Sequence, residues 1–446
     1  MKDRVRISVS GIRGEVPDAL NVELASKFSS AFASYLEKGP IALCRDSRAT
    51  SCMLEMAVMS SIMAGGIDGY DFGLIPTPCL QFLMGKGDFS GGVAVTGGHN
   101  PYSWNAILLL NSEGAYLEAS EGSEVFNVYE AGDFMKAEWS GLGRIHEKKF
   151  PFDIYLEAMQ KQVDLKRIRE ANFKVVADPC NGAVSGFLSL FADFFGLKLI
   201  RINDDITKVF SHLPEPSKEN SSQAEAVVRA TQADLGFLLN SDSSRISFVD
   251  EKGEGLSEEF TFPVCLLSLK GKIKKVVSTV VSSSLGDWAA AKAGAKIFRT
   301  KVGQSSVIHA LEAEKAEAGG EGSGSFMIKN FSNGYDSLLS LVLVLDLMAK
   351  EQKSFSEIIK PFPKLYMKKV KIEVPAEKTY RVMDRLEEDY AAEAPDYTDG
   401  IRITRKGIWF NIRPSLTEFI LRLTIEGETK EMVESVEDEI KERMRL

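Results

Sequence analysis

The sequence predicts an α/β protein made of several domains, and three observations lead to this prediction. The chain has 446 residues, which is too many for one hydrophobic core and suggests roughly three or four domains. Apolar runs that read as buried strands are repeatedly followed by a polar loop and a helical pattern. The composition, 44% hydrophobic and 26% charged, is that of an ordinary globular protein.

The first helix and strand set the pattern of the N-terminal part. Asn21 can cap a helix that ends just before Gly39. Residues 41–44 then form a buried strand, which leads to the polar sequence 45–48 at its carboxyl end. Four apolar residues at helical spacing share the predicted buried face of the helix: Leu24, Phe28, Phe32 and Leu36.

The same arrangement recurs along the chain. A helix is predicted from about Thr50 to Ala64, and residues 93–95 form another strand. The loop 96–101 leaves the carboxyl end of that strand, where the ligand sites of open α/β sheets gather. Further strands are predicted at residues 173–177, 235–239, 276–281 and 295–299.

The C-terminal part differs from the rest. From about Tyr366 the pattern indicates three long alternating strands with helices near 379–389 and 428–445, and therefore an α+β domain. The most apolar segment, from Leu338 to Met348, is far shorter than the roughly 18–20 apolar residues of a membrane span. It is predicted to be a buried helix.

Charge and cysteine usage argue against some partners. The net charge of −9 is unfavourable for binding nucleic acid or an anionic membrane. The five cysteines form no Cys-x-x-Cys pair, which fits reduced thiols, and the N-terminus lacks the apolar core of a signal peptide. We therefore predict a cytoplasmic protein.

Nine short motifs occur in a fixed order along almost the whole chain. Together they resemble the α-D-phosphohexomutases, the family that includes phosphoglucomutase and phosphomannomutase. The sequence Thr-Gly-Gly-His-Asn-Pro at 96–101 resembles the family's Thr-x-Ser-His-Asn-Pro loop, whose serine is phosphorylated and passes its phosphoryl group to a sugar phosphate. The motifs lie at residues 10–14, 45–48, 71–78, 96–101, 178–183, 214–216, 240–245, 319–324 and 413–418.

The resemblance implies four domains that meet at a central cleft. Three mixed α/β sandwich domains are expected at residues 1–150, 151–253 and 254–365, followed by a smaller α+β domain at 366–446. By the same resemblance they carry, in order, the phosphoserine loop, the metal loop, the sugar-binding loop and the phosphate-binding loop.

The catalytic centre departs from the family. Gly98 stands in the place of the phosphorylated serine and has no oxygen to carry a phosphoryl group. We interpret the adjacent His99 as a residue that braces the loop rather than as a phosphohistidine. For Arg45 and Arg48 two interpretations stay open, a role in the site and a structural ion pair at a domain interface.

The metal loop is also altered. The family holds Mg²⁺ with Asp-Gly-Asp-x-Asp-Arg, and this chain has Asn-Ser-Asp-Ser-Ser-Arg at 240–245. Only Asp242 keeps a carboxylate, while Asn240 and Ser244 stand at lost ligand positions. Because Mg²⁺ prefers several hard oxygen ligands, we expect weak or absent metal binding and no other cofactor.

Two more catalytic positions differ, and the binding positions are kept. Leu108 aligns with a family lysine that can assist proton and phosphoryl transfer, and Ser325 aligns with a histidine. A protein without phosphoserine has no use for its metal, so these losses are chemically linked. Arg245 is kept beside the reactive centre. The residues that match the family's substrate-binding positions are Arg13, Glu321, Ser323, Arg413, Ser415, Thr417 and Arg422.

Three functions compete at this point. The first is a protein that binds a hexose phosphate but has lost the phosphoserine- and Mg²⁺-dependent mutase reaction, and this is the one we predict. The second is a weakly active mutase that works without phosphoserine, for instance by exchange with a sugar 1,6-bisphosphate. The third is a structural or regulatory partner of an active mutase. The identity of the sugar and the oligomeric state stay open.

Overall fold

In the part of the chain that the structure describes, the strands form four separate sheets, one after another in the sequence. The structure, a computed structural model, describes residues 6–8, 10–415 and 420–444. We call the parts of the chain built around the sheets the first, second, third and fourth units. The predicted series of three mixed α/β units and a smaller α+β unit is confirmed. The predicted domain limits at residues 150, 253 and 365 stay a prediction.

The first unit contains a seven-stranded sheet. Its elements are β1 (Arg6–Ser8), β2 (Gly11–Glu15), α1 (Val22–Leu36), β3 (Ile41–Arg45), α2 (Ala49–Ala64), β4 (Gly69–Leu74), α3 (Thr77–Met84), β5 (Gly91–Val95), β6 (Trp104–Asn111), α4 (Ala119–Ala131) and β7 (Ile145–Glu147). The order is β1-β2-β6-β5-β3-β4-β7. Strands β3 and β5 are parallel neighbours that end together, at Arg45 and Val95. The loops that follow them therefore lie side by side.

Helix α1 begins and ends close to where the sequence predicts. The side chain of Asn21 accepts a hydrogen bond of 3.0 Å from the backbone N–H of Leu24, which confirms the predicted cap. The helix ends before Gly39, as predicted, but Glu37 and not a glycine takes the left-handed conformation after it, with φ 61°. A Cβ atom at Gly39 would lie 2.3 Å from Ile67 Cγ2, so this glycine permits a close approach of two chain segments.

The second and third units each have a four-stranded mixed sheet, in the orders β11-β10-β8-β9 and β13-β12-β14-β15. The predicted apolar helix of the third unit is α12, and its residues 338–348 are all buried. Their elements are α5 (Phe152–Gln160), α6 (Leu165–Ala171), β8 (Lys174–Asp178), α7 (Leu188–Phe195), β9 (Lys198–Arg201), α8 (Ser222–Thr231), β10 (Leu235–Leu239) and β11 (Ile246–Val249); then α9 (Thr261–Ser268), β12 (Lys275–Thr279), α10 (Leu285–Ala293), β13 (Lys296–Thr300), α11 (Gln304–Glu314), β14 (Ala318–Glu321), β15 (Ser325–Ile328), α12 (Ser337–Glu351) and α13 (Phe355–Ile359).

The fourth unit is an antiparallel sheet in the order β16-β19-β18-β17. The prediction of three strands was wrong, because the five-residue strand β17 adds a fourth at the sheet edge. Across the described ranges, no helix combines the length and the apolar character needed to cross a membrane. The elements are β16 (Tyr366–Glu373), α14 (Ala376–Tyr390), β17 (Ile401–Arg405), β18 (Ile408–Pro414), β19 (Ile420–Gly427) and α15 (Lys430–Arg443).

Buried polar contacts fix the fourth unit against the third. The carboxylate of Glu426 on β19 is 2% exposed. It accepts hydrogen bonds of 2.8 Å from the backbone N–H of Ser284 and from the indole N–H of Trp409. The ammonium of Lys369 on β16 lies 2.8 Å from the carboxylate of Glu259. Because a buried carboxylate is costly without partners, these contacts hold the two units in one relative position.

A buried carboxyl group in the first unit makes its stability depend on pH. Glu55 on α2 is 3% exposed, and its Oε2 lies 2.8 Å from Arg45 Nε. Burial, together with the nearby carboxylate of Asp71, raises the pKa of Glu55 to about 8, although Arg45 opposes this. The contact between Arg45 and Glu55 lies within the first unit and supports a structural role for that arginine.

We predict that the unmodified protein loses stability between about pH 5 and pH 8 and that Glu55→Gln does not show this loss. The stability linked to the protonated carboxyl is complete below its unfolded pKa near 4.5 and is lost as the pH rises through about 8. Over that range the free energy of unfolding of the unmodified protein should fall by about 1 kcal/mol per pH unit relative to the variant. Urea unfolding at several pH values measures this. The exposed control Glu124→Gln should keep the slope of the unmodified protein, and parallel slopes for all three proteins would contradict the assignment.

Candidate functional site

The loop after β5 faces the loop after β10, and Gly98 lies at their closest approach. Gly98 has φ +54°, a left-handed conformation that favours glycine. A Cβ atom built on it would lie 3.4 Å from Asp242 Oδ2 and 3.9 Å from Asn240 Nδ2. The position of the family's phosphoserine and the positions of its metal ligands are therefore brought together, as the sequence predicts.

Arg48 determines the shape of the glycine loop. Its guanidinium donates to the carbonyl oxygens of Gly98 at 3.0 Å, Asn100 at 2.8 Å and Trp104 at 3.0 Å. Its Nε donates to Asp46 Oδ2 at 3.0 Å. Both charged side chains are fully buried. The structure thus favours the structural interpretation of Arg48.

Asp46 connects the first unit to the second, a role that sequence analysis does not predict. Besides the contact with Arg48, its Oδ2 accepts from the hydroxyls of Thr96 at 2.8 Å and Ser241 at 2.9 Å. The hydroxyl of Ser47 reaches across to the carbonyl oxygen of Asn181 at 2.6 Å. Two features of the sequence pointed to Asp46, the motif at 45–48 and its place at the end of a strand. The hydrogen-bond partners could not be predicted, because they are distant in sequence.

The loop at 240–245 is closed by its own hydrogen bonds. Asp242 Oδ1 accepts from the backbone N–H of Ser244 at 3.1 Å and from its hydroxyl at 2.7 Å. Asn240 accepts from the backbone N–H of Arg245 at 3.0 Å and donates to the Ser244 hydroxyl at 3.0 Å. Burial raises the pKa of Asp242, although the bonds from Ser244 oppose the shift. Among the described residues, no three carboxylate, histidine or cysteine side chains are grouped so as to hold a metal.

At the other two positions that differ from the family, Leu108 has an apolar side chain and Ser325 has a hydroxyl. Leu108 lies on β6, is 7% exposed and belongs to the main hydrophobic core. Ser325 is buried at the start of β15, and its hydroxyl lies 3.0 Å from that of Ser323. Neither side chain carries a charge into the cleft.

Positive charge surrounds the reactive centre. His99 is half-buried, and its pKa is held well below the usual range by burial and by the guanidinium groups of Arg245, Arg13 and Arg422. Arg245 is oriented by Glu215, whose carboxylate accepts from Nη1 at 2.7 Å. The predicted arginines of the first, second and fourth units thus act on one imidazole, and this side of the cleft suits an anion.

The predicted sugar and phosphate positions lie on the third and fourth units. The carboxylate of Glu321 accepts from the hydroxyl of Tyr335 at 2.9 Å. Arg413 and Arg422 are paired positions on β18 and β19, so their side chains share one face. Arg422 Nε donates to the Ser415 hydroxyl at 3.3 Å. Thr417 lies outside the described residues.

An acidic residue and burial act on the first of these arginines. Asp399 Oδ2 lies 3.9 Å from Arg413 Nε. Burial lowers the pKa of Arg413, and Asp399 opposes this shift. Two adjacent guanidinium groups with a hydroxyl beside them match the geometry that binds a phosphate through paired hydrogen bonds.

Family models match the chain in four consecutive parts. They are described as the alpha/beta/alpha domains I, II and III and the C-terminal domain of phosphoglucomutase/phosphomannomutase. The matched residues are 5–136, 153–253, 262–366 and 370–443.

Two archaeal relatives are similar over almost their full length. A probable phosphoglucosamine mutase of Pyrococcus abyssi is 32% identical over 434 residues, which cover 96% of this chain and 95% of the relative. A phosphoglucosamine/phosphogalactosamine mutase of Sulfurisphaera tokodaii is 30% identical over 441 residues, with 97% of each chain covered.

Solved structures share the fold at lower identity. A phosphoglucomutase/phosphomannomutase family protein of Burkholderia thailandensis has a TM-score of 0.84 at 20% identity, covering 98% of this chain and 96% of that chain. Two structures of Aspergillus fumigatus N-acetylphosphoglucosamine mutase each cover 99% of this chain and 95% of that chain. One, a serine-to-alanine variant in complex with glucose 1,6-bisphosphate, has a TM-score of 0.60 at 15% identity. The other, in complex with GlcNAc-6P and magnesium, has a TM-score of 0.57 at 14% identity.

The four matched domains, the full-length relatives and the shared architecture agree with the nine sequence motifs. The chain belongs to the phosphoglucomutase/phosphomannomutase family of α-D-phosphohexomutases.

Proposed function

We propose that this protein binds a hexose phosphate in its central cleft and does not catalyse the serine- and metal-dependent phosphoryl exchange. The observation that carries the proposal is the position of Gly98. It lies opposite Asp242, where a nucleophile would face a metal, and it has no side-chain oxygen. A phosphoryl group cannot be transferred to a residue that offers no acceptor atom.

The binding roles follow from the charges and hydroxyls of the cleft. The phosphate of the ligand lies against Arg413 and Arg422, with the Ser415 hydroxyl beside them. Glu321 and Ser323 hold the sugar hydroxyls, because a carboxylate accepts two hydrogen bonds and a hydroxyl both donates and accepts. Arg13 and Arg245 bind a second anionic group near Gly98. Support comes from the solved relative that holds GlcNAc-6P.

The loop at 240–245 does not fit Mg²⁺, and we propose weak or absent metal binding. Mg²⁺ needs near-octahedral oxygen ligands and loses its water reluctantly. The loop offers the single carboxylate of Asp242, and one of its oxygens already accepts two hydrogen bonds from Ser244. Without a metal, the exchange lacks the cation that the family uses to neutralise the charge of the transferring phosphoryl group.

A second candidate is weak mutase activity by direct exchange with a sugar 1,6-bisphosphate. A relative with one serine changed to alanine binds glucose 1,6-bisphosphate, so a protein of this fold accommodates such a ligand. Removing a covalent nucleophile commonly lowers kcat by about 10⁶-fold, so turnover by this route would be slight. A regulatory role beside an active mutase is compatible with the binding function.

We predict that Arg413→Ala weakens the binding of glucose and mannose phosphates at least about tenfold. A charge-assisted hydrogen bond to phosphate contributes about 1.5–3 kcal/mol. Isothermal titration calorimetry measures the change. The control Arg381→Ala removes an exposed arginine of α14 in the same unit and should bind as the unmodified protein does. Equal affinity of Arg413→Ala and the control for these ligands would refute the phosphate-binding role of Arg413.

We predict that crystals grown with millimolar Mg²⁺ contain no octahedral ion at Asp242. The double variant Asn240→Asp and Ser244→Asp restores two carboxylates and should bind Mg²⁺ measurably by calorimetry. An ordered ion on the unmodified loop, with oxygen ligands at about 2.1 Å, would show that this interpretation of the loop is wrong.

We predict that Gly98→Ser alone has no phosphoglucomutase or phosphomannomutase turnover. The serine would be strained at φ +54° and would still lack a metal and a cation at Leu108. Catalytic groups that act as a unit are strongly non-additive. Activity is expected only when Asn240→Asp, Ser244→Asp and Leu108→Lys are added, provided that circular dichroism shows the quadruple variant is folded.

The measurement is a coupled assay with Mg²⁺ and a sugar bisphosphate activator. It compares the unmodified protein, the single variant and the quadruple variant. Robust turnover by the unmodified protein would replace the binding function with the exchange reaction.

A further inference from the structure

A cavity of about 990 Å³ lies between α4 of the first unit and the loop before α11 of the third unit. This volume is at the upper end of the roughly 300–1,000 Å³ typical of small-molecule sites. The lining of the cavity includes the ring of Phe126, the ring of Tyr116 and the side chain of Lys301. None of these three residues has a part in the binding roles described above.

The cavity adjoins the hexose phosphate site through its loop. The backbone N–H of Val302 donates to Asp399 at 2.9 Å, and Asp399 is the carboxylate beside Arg413. The next N–H, of Gly303, approaches Glu321 Oε2 at 3.4 Å. A ligand with its hexose at Glu321 therefore has the cavity directly next to it.

The walls of the cavity differ in chemistry. On α4, the half-buried ring of Phe126 presents an apolar surface and stacks on Tyr129, with the ring centroids 6.0 Å apart. On the opposite wall, Lys301 is exposed and makes no ion pair within the described part of the chain. The carboxylate of Glu118 is engaged by His309 at 3.4 Å. The cavity thus offers one unneutralised cation and one aromatic surface.

A phosphate and a flat ring together match this lining. Lysine binds phosphate as a point charge, and a nucleobase stacks on an aromatic side chain. We propose that the cavity accepts the nucleoside diphosphate part of a nucleotide sugar. Its hexose lies at Glu321, its diphosphate at Lys301 and its base against Phe126. This assignment rests on the proposed hexose phosphate function and extends it to the activated form of the same sugar.

Calorimetry with UDP-glucose and GDP-mannose, alongside the corresponding hexose 1-phosphates, tests the proposal. At least one nucleotide sugar should bind about tenfold more tightly than its hexose 1-phosphate. Phe126→Ala and Lys301→Ala should each weaken that nucleotide sugar by about fivefold or more and leave the hexose 1-phosphate unchanged. The controls Trp139→Ala and Lys38→Ala, an exposed aromatic and an exposed lysine outside the cavity lining, should change neither ligand.

The outcomes separate this proposal from the binding function itself. If hexose 1-phosphates bind and depend on Arg413 while nucleotide sugars gain nothing, the cavity proposal fails alone. If neither ligand binds, both proposals fail.

An additional titration uses glucose 1,6-bisphosphate. If Lys301→Ala weakens this ligand and Phe126→Ala leaves the nucleotide sugars unaffected, the cavity holds a second phosphate and the nucleotide assignment is overturned. If Phe126→Ala does not fold, Phe126→Leu, which keeps an apolar side chain but has no ring for a base to stack on, takes its place in the same comparison.

Discussion

The buried ion pair between Arg48 and Asp46 is the interaction on which the centre of the molecule depends. Both residues are 1% exposed, and a buried charge that loses its partner destabilises a protein by about 3–5 kcal/mol. The guanidinium is satisfied by carbonyl oxygens of Gly98 and Asn100, and the carboxylate by the Ser241 hydroxyl. The glycine loop and the second unit are therefore needed to bury this pair. The glycine loop therefore has a structural role that does not depend on catalysis.

The two ends of the cleft differ in the charges that they bring together. At the metal loop, Asn240 and Ser244 form hydrogen bonds that close the loop without an ion, so the altered residues are stable as they are. On the fourth unit, Arg413 and Arg422 are placed side by side, and like charges at paired positions destabilise a sheet. The carboxylates of Asp399, 3.9 Å away, and of Glu321 act on Arg413 in the opposite direction. Two guanidinium groups at paired positions suit the binding of an anion, which is the role proposed for them above.

Local sequence patterns predicted the helices and strands, but they could not predict contacts between residues that are distant in sequence. The cap at Asn21 and the buried helix α12 follow from residue types a few positions apart. The end of α1 slightly before Gly39 has a local cause, since Glu37 adopts the left-handed conformation that glycine adopts more easily. The Ser47 hydroxyl donates to the carbonyl oxygen of Asn181 and so joins the first unit to the second. The indole N–H of Trp409 donates to Glu426 and joins two neighbouring strands. Motif order located the site residues, but only the fold reveals which of them support one another.

The contact between the third and fourth units bears on how the cleft binds. The hydrogen bonds to Glu426 hold β19, which carries Arg422, in place relative to Glu321, the proposed sugar position. A cleft whose walls are already positioned loses less freedom when a ligand binds, which improves affinity. At the reactive end, Gly98 has a backbone conformation in which a serine would be strained, so the missing hydroxyl is matched by the main chain around it. Preorganised binding groups and a backbone adapted to glycine are both consistent with a protein whose cleft recognises its ligand and leaves it unchanged.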